Sequence, residues 1–195
     1  QCAAGAINHT PGARAEQLEG GAVILAAGFD LYDAQLAGEY GLGRFANVVT
    51  GQQYERILSP SGPYGGHLQR PSDGHEPKRI AWIQCVGSRR ADRNWCSAVC
   101  CMVATKQTLI TQEHAPGTER TVFYIDFRAY GKGFDAYYER AKESGARYVR
   151  AMPSAIRQHP ATEALEIQYA LPDGQLITET FDLVVLSVGL QAPAG

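Results

Sequence analysis

The sequence contains 195 residues, of which 45% are apolar and 19% are charged, and its formal net charge is −2. This length accommodates one domain or two small ones, and the charge gives no basic face for nucleic acid. The longest apolar runs are GAVILAAGF and FDLVVLSVGL, far short of the roughly 20 residues of a membrane span. We therefore expect no nucleic-acid partner and no direct membrane span.

Residues 1–10, QCAAGAINHT, begin with a cysteine followed by small residues and isoleucine. Ferredoxin cluster loops end in a similar way, although Ala3 stands where proline is usual. The alternative is a small buried thiol near a terminus. The start is neither a methionine nor a signal peptide, so we expect a piece of a longer protein that includes the tail of a ferredoxin-like module.

Residues 11–30 contain the run GGAVILAAGF. Its apolar Ala22–Leu25 predicts a fully buried strand of a parallel sheet. The small residues Ala26, Ala27 and Gly28 follow it and allow a close approach to the backbone. They indicate either a tight turn after a core strand or a strand end that faces a dinucleotide.

Residues 31–77 are rich in glycine and proline and predict a connecting segment. A short helix is expected at Gly51–Leu58. The pair Gly41-x-Gly43 does not follow a strand directly, so we do not interpret it as a phosphate-binding loop.

Residues 78–195 alternate between predicted strands and helices, which indicates an α/β unit with a parallel sheet. A hairpin across Asp173-Gly174, a strong turn dipeptide, interrupts this order. The fold class is therefore that of a dinucleotide-binding-like unit, similar to the NAD domain of thioredoxin reductase, with an antiparallel hairpin insertion. In chain order the predicted elements are a strand at 79–84, a helix at 96–113, a strand at 121–127, a helix at 134–144, a strand at 146–151, the hairpin at 164–181 and a strand at 182–190.

Two runs have the same plan: GGAVILAAGFD and FDLVVLSVGLQ each place small-x-Gly after an apolar stretch. Two-domain flavoprotein disulfide reductases use two such strands to return the chain between their dinucleotide domains. Chance similarity between buried strands is the alternative.

Four of the five cysteines lie between residues 79 and 112, in the pattern C-x10-C-x3-C-C. Cys85 ends the predicted strand, where a nucleotide site would carry G-x-G-x-x-G, and only one glycine, Gly87, follows it. Cys96 and Cys100 are four residues apart and share a face if both are helical. Cys101 lies about 100° around that helix. The odd number of cysteines opposes a disulfide framework and favours thiolate ligands in a reducing cytoplasm.

Several kinds of site suit this pattern. An iron–sulfur cubane offers irons at its corners to diverging thiolates, and a helix N-terminus favours its negative charge. A zinc site usually needs a second C-x₂₋₄-C knuckle, which is missing here. A zinc- or thiol-stabilised module without catalytic activity, and inert buried thiols, stay open. An NAD(P)H-dependent disulfide reductase is opposed by the missing glycines and the missing Cys-x-x-Cys pair.

At these residues the chain resembles the A subunits of heterodisulfide reductases and their relatives in quinone-interacting oxidoreductase complexes. The resemblance covers nearly the whole chain, and its most specific motifs are CVGSR and WCSAVCCMVATKQ. It implies a central portion of a larger oxidoreductase subunit that is inactive alone, with a thioredoxin-reductase-like FAD domain largely outside this chain. The catalytic residues are unknown. The implied partners are other subunits of such an electron-transfer complex.

The resemblance also implies roles for individual residues. Cys85, Cys96, Cys100 and Cys101 would ligate one 4Fe-4S cluster close to FAD, and Cys2 would be the last ligand of a truncated ferredoxin-like cluster. Lys106 would contact the flavin, although an exposed lysine is an equal alternative. Ala26, Ala27 and Gly28 would lie near FAD, which in this family can divide electron pairs between two acceptors.

Overall fold

The computed structural model describes residues 3–7, 12–13 and 15–193. Within that part of the chain, the elements stack in three layers: helices, a parallel sheet and an antiparallel sheet. The elements in chain order are β1 (Asp30–Leu31), β2 (Val48–Thr50), α1 (Gly51–Leu58), β3 (Arg79–Val86), α2 (Cys100–His114), β4 (Glu119–Tyr124), α3 (Phe134–Glu143), β5 (Arg147–Arg150), β6 (Ala155–Gln158), β7 (Leu165–Ala170), β8 (Leu176–Phe181), β9 (Leu183–Val188) and β10 (Leu190–Gln191). Two short 3₁₀ turns span 34–36 and 38–40.

The parallel sheet has the strand order β2-β9-β3-β4-β5, and every neighbouring pair in it is parallel. The predicted hairpin is present as β7 and β8, with Gly174 in the left-handed conformation at its turn. β6 pairs with β7 as a further strand that was not predicted. The α/β class with an antiparallel insertion is therefore confirmed.

β3 runs through the middle of the core because both of its faces are apolar. Ile80 and Trp82 face the helices, where they join the cluster that contains Tyr54 of α1 and Ala104 of α2. Ala81 and Ile83 face the antiparallel sheet. A strand covered on both sides reads as a continuous hydrophobic run, which is why RIAWIQ was a reliable strand signal.

The two sheets are joined by ion pairs around Glu179 of β8. Its carboxylate accepts hydrogen bonds from Arg79 at 2.9 Å, from Arg147 at 2.7 Å and from the Tyr169 hydroxyl. Burial opposes ionisation of Glu179, but the hydrogen bonds from Tyr169 and Arg147 hold its pKa below the ordinary value. The folded state therefore favours the ionised carboxylate.

The run Ala22–Leu25 does not form the predicted buried strand. Residues 22–29 make no strand pairing, and Val23, Ile24 and Leu25 are between 86% and 92% exposed. A parallel strand needs hydrogen-bonded neighbours, and none of the described strands pairs with this run. The prediction of a buried strand is wrong for this chain, while the interpretation of residues 11–30 as part of an FAD domain stays a prediction.

The segment 31–77 contributes more than a connection. The helix predicted at Gly51–Leu58 is confirmed, and Thr50 and Gln53 form a capping box at its start. β2, which was not predicted, pairs with β9 at the edge of the parallel sheet. The boundary between residues 77 and 78, and the other predicted divisions of the chain, stay predictions. Among the described helices, none has the length and apolar character needed to cross a membrane.

Candidate functional site

The candidate site lies at the carboxyl end of the parallel sheet, where β3 and β9 finish beside the start of α2. In open α/β sheets this edge is the usual position of ligand crevices. Cys85, the last residue but one of β3, is only 7% exposed and has a φ of +62°. The pairing of β3 with β9 shifts register between Ile83 and Val86. A left-handed residue other than glycine costs about 1–3 kcal/mol and concentrates at functional sites.

Gly87, the single glycine after β3, has a structural explanation. Its φ is +75°, and a Cβ at this position would lie 2.1 Å from ring atoms of Tyr32. The Gly189 N–H donates to Val86 O at 2.7 Å, and the Tyr32 N–H donates to Gly189 O at 2.9 Å. Gly87 is thus required for close packing of the turn against Tyr32.

The loop between β3 and α2 is held by contacts to distant parts of the chain. Ser97 Oγ shares a hydrogen bond of 2.8 Å with Ser88 Oγ and accepts the Leu190 N–H at 2.7 Å. Trp95 Nε1 donates to Leu190 O at 3.2 Å. Arg89 forms an ion pair with Asp126. These bonds fix the loop that carries Cys96.

Cys96 is not on the helix, contrary to the prediction. α2 begins at Cys100, because Ala98 has a φ of +62° and cannot continue a right-handed helix. The Ala98 N–H instead lies 3.3 Å from Cys96 Sγ, to which it donates a hydrogen bond. Cys96 and Cys100 therefore do not share a helix face, and Cys96 reaches the site from a loop.

Cys100 and Cys101 occupy the first turn of α2. The Cys100 thiol donates to Val188 O at 3.7 Å, and Cys101 is buried. No side chain caps this helix at Val99. The unpaired N–H groups and the helix dipole make such an N-terminus favourable for negative charge.

The thiols at this site interact electrostatically. Burial raises the pKa of Cys85 to about 11, with smaller contributions from Cys101 and Cys96. Burial also raises the pKa of Cys100 to about 12, with contributions from the other three thiols. The pKa of Cys101 is raised by burial as well, against a hydrogen bond from the Arg128 backbone. All four cysteines are free, so metal binding would release their protons.

An open cleft of about 500 Å³ adjoins the thiols. Lys106 and Glu55 form an ion pair of 2.7 Å on its wall. The Glu55 carboxylate also accepts a hydrogen bond of 2.9 Å from Gln107 Nε2. The other residues that line the cleft are mostly apolar: Phe29, Leu31, Gly51, Gln52, Val99, Cys100, Val103, Ser187, Val188 and Leu190.

The predicted site residues are thus only partly brought together. The four cysteines gather at one edge of the sheet, and Cys100 and Lys106 line one cleft. Ala26, Ala27 and Gly28 are exposed and do not line it, although Phe29, the next residue, does. Cys2 lies outside the described residues.

Glu55 was missed by sequence reasoning, since nothing near it in the chain marks it. Among the described residues, no group of three or more His, Cys, Asp and Glu side chains is placed to hold a single metal ion. One zinc ion needs all its ligands within about 2.0–2.3 Å of one point. A cluster of four irons has no such requirement, because each thiolate binds a different corner.

Curated proteins from methanogenic archaea match this sequence. The iron-sulfur A subunit of the CoB–CoM heterodisulfide reductase of Methanocaldococcus jannaschii is 42% identical over 97% of this chain and 29% of that protein. The second of the iron-sulfur A subunits of the same name in Methanopyrus kandleri is 46% identical over 88% of this chain and 27% of that protein. Over the part of these relatives which it spans, the chain belongs to the family of heterodisulfide reductase A subunits.

The heterodisulfide reductase relatives are much longer than this chain, which spans about 24–30% of their length. The A subunit of the ferredoxin/F420H2-dependent CoB–CoM heterodisulfide reductase of Methanosarcina acetivorans is 37% identical over 97% of this chain. No family model matches the sequence. A solved sulfide:quinone oxidoreductase from Aquifex aeolicus covers 59% of this chain and 26% of its own, at 12% identity and a TM-score of 0.35, and carries no argument here.

Proposed function

We propose that this chain carries one 4Fe-4S cluster and a flavin-facing cleft in an electron-transferring oxidoreductase subunit. The observation that supports this most strongly is the gathering of four free cysteines at the carboxyl end of the sheet. They come from a strand end, a fixed loop and a helix N-terminus. The name of the Methanocaldococcus relative, which describes it as an iron-sulfur protein, agrees with this proposal.

The four thiols suit the cluster chemically. Cys85, Cys96, Cys100 and Cys101 are the ligands in this proposal, and an anionic cluster between them would be stabilised by the uncapped first turn of α2. The N–H of Ala98 already donates to the sulfur of Cys96, and such bonds tune cluster potentials. Cys2 is assigned to a second, ferredoxin-like cluster and has no part in this site.

An ordinary dinucleotide site is disfavoured at the same place. Pyrophosphate binding needs glycines in the turn, so that the backbone and the helix N-terminus meet the phosphates. Here Gly87 is filled against Tyr32, and thirteen positions separate Val86 from the first helical residue, as read from the ranges of β3 and α2. The strand–turn–helix frame is retained with thiols in place of the phosphate loop.

The cleft beside Cys100 is the proposed FAD-facing surface, with most of the FAD site outside this chain. A flavin bound there would supply hydride and single-electron chemistry. Lys106 would face it with a positive charge that Glu55 orients, and the apolar walls would exclude water. Because Cys100 lines the same cleft, electrons would cross a short distance between cleft and thiol site. Ala26–Gly28 are assigned to the far side of the flavin.

The wider role follows from the family. We infer an oxidoreductase that acts in the cytoplasm with other subunits of a heterodisulfide-reductase-like or quinone-interacting complex. Within it, this part of the protein would relay electrons, or take part in dividing electron pairs at the flavin. This chain alone is expected to lack turnover, because it holds only one side of the flavin site.

Metal and sulfide analysis tests the proposal. After anaerobic purification we expect about four irons per chain with matching acid-labile sulfide. One zinc and no sulfide would contradict the cluster and support a zinc-stabilised module instead. An iron-free, zinc-free protein that does not take up iron and sulfide on reconstitution would show the thiols to be inert.

A further inference from the structure

Gln84, the residue before Cys85, has an unsatisfied buried side chain. It is 1% exposed, and neither Nε2 nor Oε1 of its carboxamide has a hydrogen-bond partner. In the described part of the chain, these are the buried side-chain polar atoms that have none. Leaving such a group unpaired costs about 1–3 kcal/mol. A stable fold retains it only where something else compensates.

Gln107 provides the comparison, because it is an equally buried glutamine on the facing helix. Its Oε1 accepts the Trp82 Nε1–H at 2.9 Å, and its Nε2 donates to Gly51 O at 3.0 Å and to Glu55 at 2.9 Å. Every polar atom of that side chain is thus used. Burial alone does not explain why Gln84 lacks partners.

The direction of Gln84 follows from its strand. Side chains alternate along β3, and Ile80 and Trp82 face the helix layer, so Gln84 faces it too. Trp82 marks the level of Gln107 on α2. Two residues further along β3 is about 6.6 Å, equal to about four residues back along a helix that runs the opposite way. That level is the first turn of α2, which carries Cys100 and Cys101.

We propose that Gln84 is a positioning residue whose carboxamide N–H donates a hydrogen bond to a sulfur of the proposed cluster. This inference rests on the proposed function. An N–H···S bond stabilises the more negative, reduced state and so raises the reduction potential of the cluster. In the absence of iron the donor is left without a partner, as observed.

Two substitutions separate this role from a structural one. In the anaerobically purified, cluster-containing protein, Gln84→Leu is expected to lower the reduction potential measured by EPR-monitored titration. After removal of iron with a chelator, the same variant should be as stable as the wild type or more stable, because an unpaired polar group is gone. The control Gln107→Leu should lose stability without iron and leave the potential unchanged.

The outcomes are distinct. A cluster with an unchanged potential in Gln84→Leu would overturn the role of Gln84 and leave the cluster proposal standing. Destabilisation of the iron-free protein by Gln84→Leu would also overturn it, since the carboxamide would then have a partner, such as water, without the cluster. A wild type that binds no cluster would overturn both proposals. If Gln84→Leu does not fold, Gln84→Met, which keeps the unbranched chain, is measured in its place.

Discussion

Gly87→Ala tests the explanation for the one glycine retained in the turn after β3. Its φ of +75° costs an alanine about 1–2 kcal/mol. The new Cβ would lie 2.1–2.7 Å from three ring atoms of Tyr32, and overpacking of this kind costs about 1–3 kcal/mol. After the entropy gain of the unfolded chain, we expect a net loss of roughly 2–4 kcal/mol.

Gly133→Ala is the matched control for this substitution. Gly133 has a φ of +79°, but no atom lies within 4 Å of a Cβ at that position, so only the backbone cost of about 1–2 kcal/mol remains. Both variants would be measured by urea denaturation of the iron-free protein, followed by the fluorescence of buried Trp82. Equal losses would refute the packing argument and reopen a ligand-binding role for Gly87.

Three further predictions concern the loop, the sheet junction and the cleft. Ala98→Gly should stabilise the iron-free protein by about 0.5–1 kcal/mol in the same urea assay, because φ is +62° there and the side chain is exposed. The pKa of Glu179 is lower in the folded state, so its stabilisation is present above its ordinary pKa of 4.5 and lost as the pH falls below it; urea midpoints of Glu179→Gln should therefore depend less on acid. Lys106→Met should weaken flavin binding by the full-length protein at least tenfold, measured by fluorescence titration, whereas Lys142→Met, at a lysine paired with Glu139 outside the cleft, should not.

The sequence was sufficient where structure depends on neighbouring residues. β3 and α1 carry their own signals, a continuous apolar run and a Thr-x-x-Gln capping box. The turn at Asp173-Gly174 depends on two residues only. Elements of this kind were predicted within a few residues of their observed bounds.

The failures come from contacts between distant residues. α2 was expected to include Cys96, but the loop before it is set by the bonds of Ser97 to Ser88 and Leu190, the second 93 residues away. Glu55 belongs to the cleft because Gln107, 52 residues later, and Lys106 bind it. A local pattern contains no information about either arrangement.

The run Ala22–Leu25 failed for a different reason. Its composition is that of a buried strand, yet Ile24 is 92% exposed. Hydrophobic composition predicts that a segment needs a partner, but it does not say which strands provide the pairing. The same run in the full-length protein is expected to pair within the FAD domain, in agreement with the prediction for residues 11–30.

The central claim is that four named cysteines hold one cluster, and the most direct measurement is its visible absorption and iron content in single cysteine-to-alanine variants purified anaerobically. The account predicts that substitution of Cys85, Cys96, Cys100 or Cys101 abolishes or strongly reduces both, while Cys2→Ala leaves both unchanged. Retention of the full signal in any of the four variants, or an equal loss in Cys2→Ala, would contradict the ligand assignment.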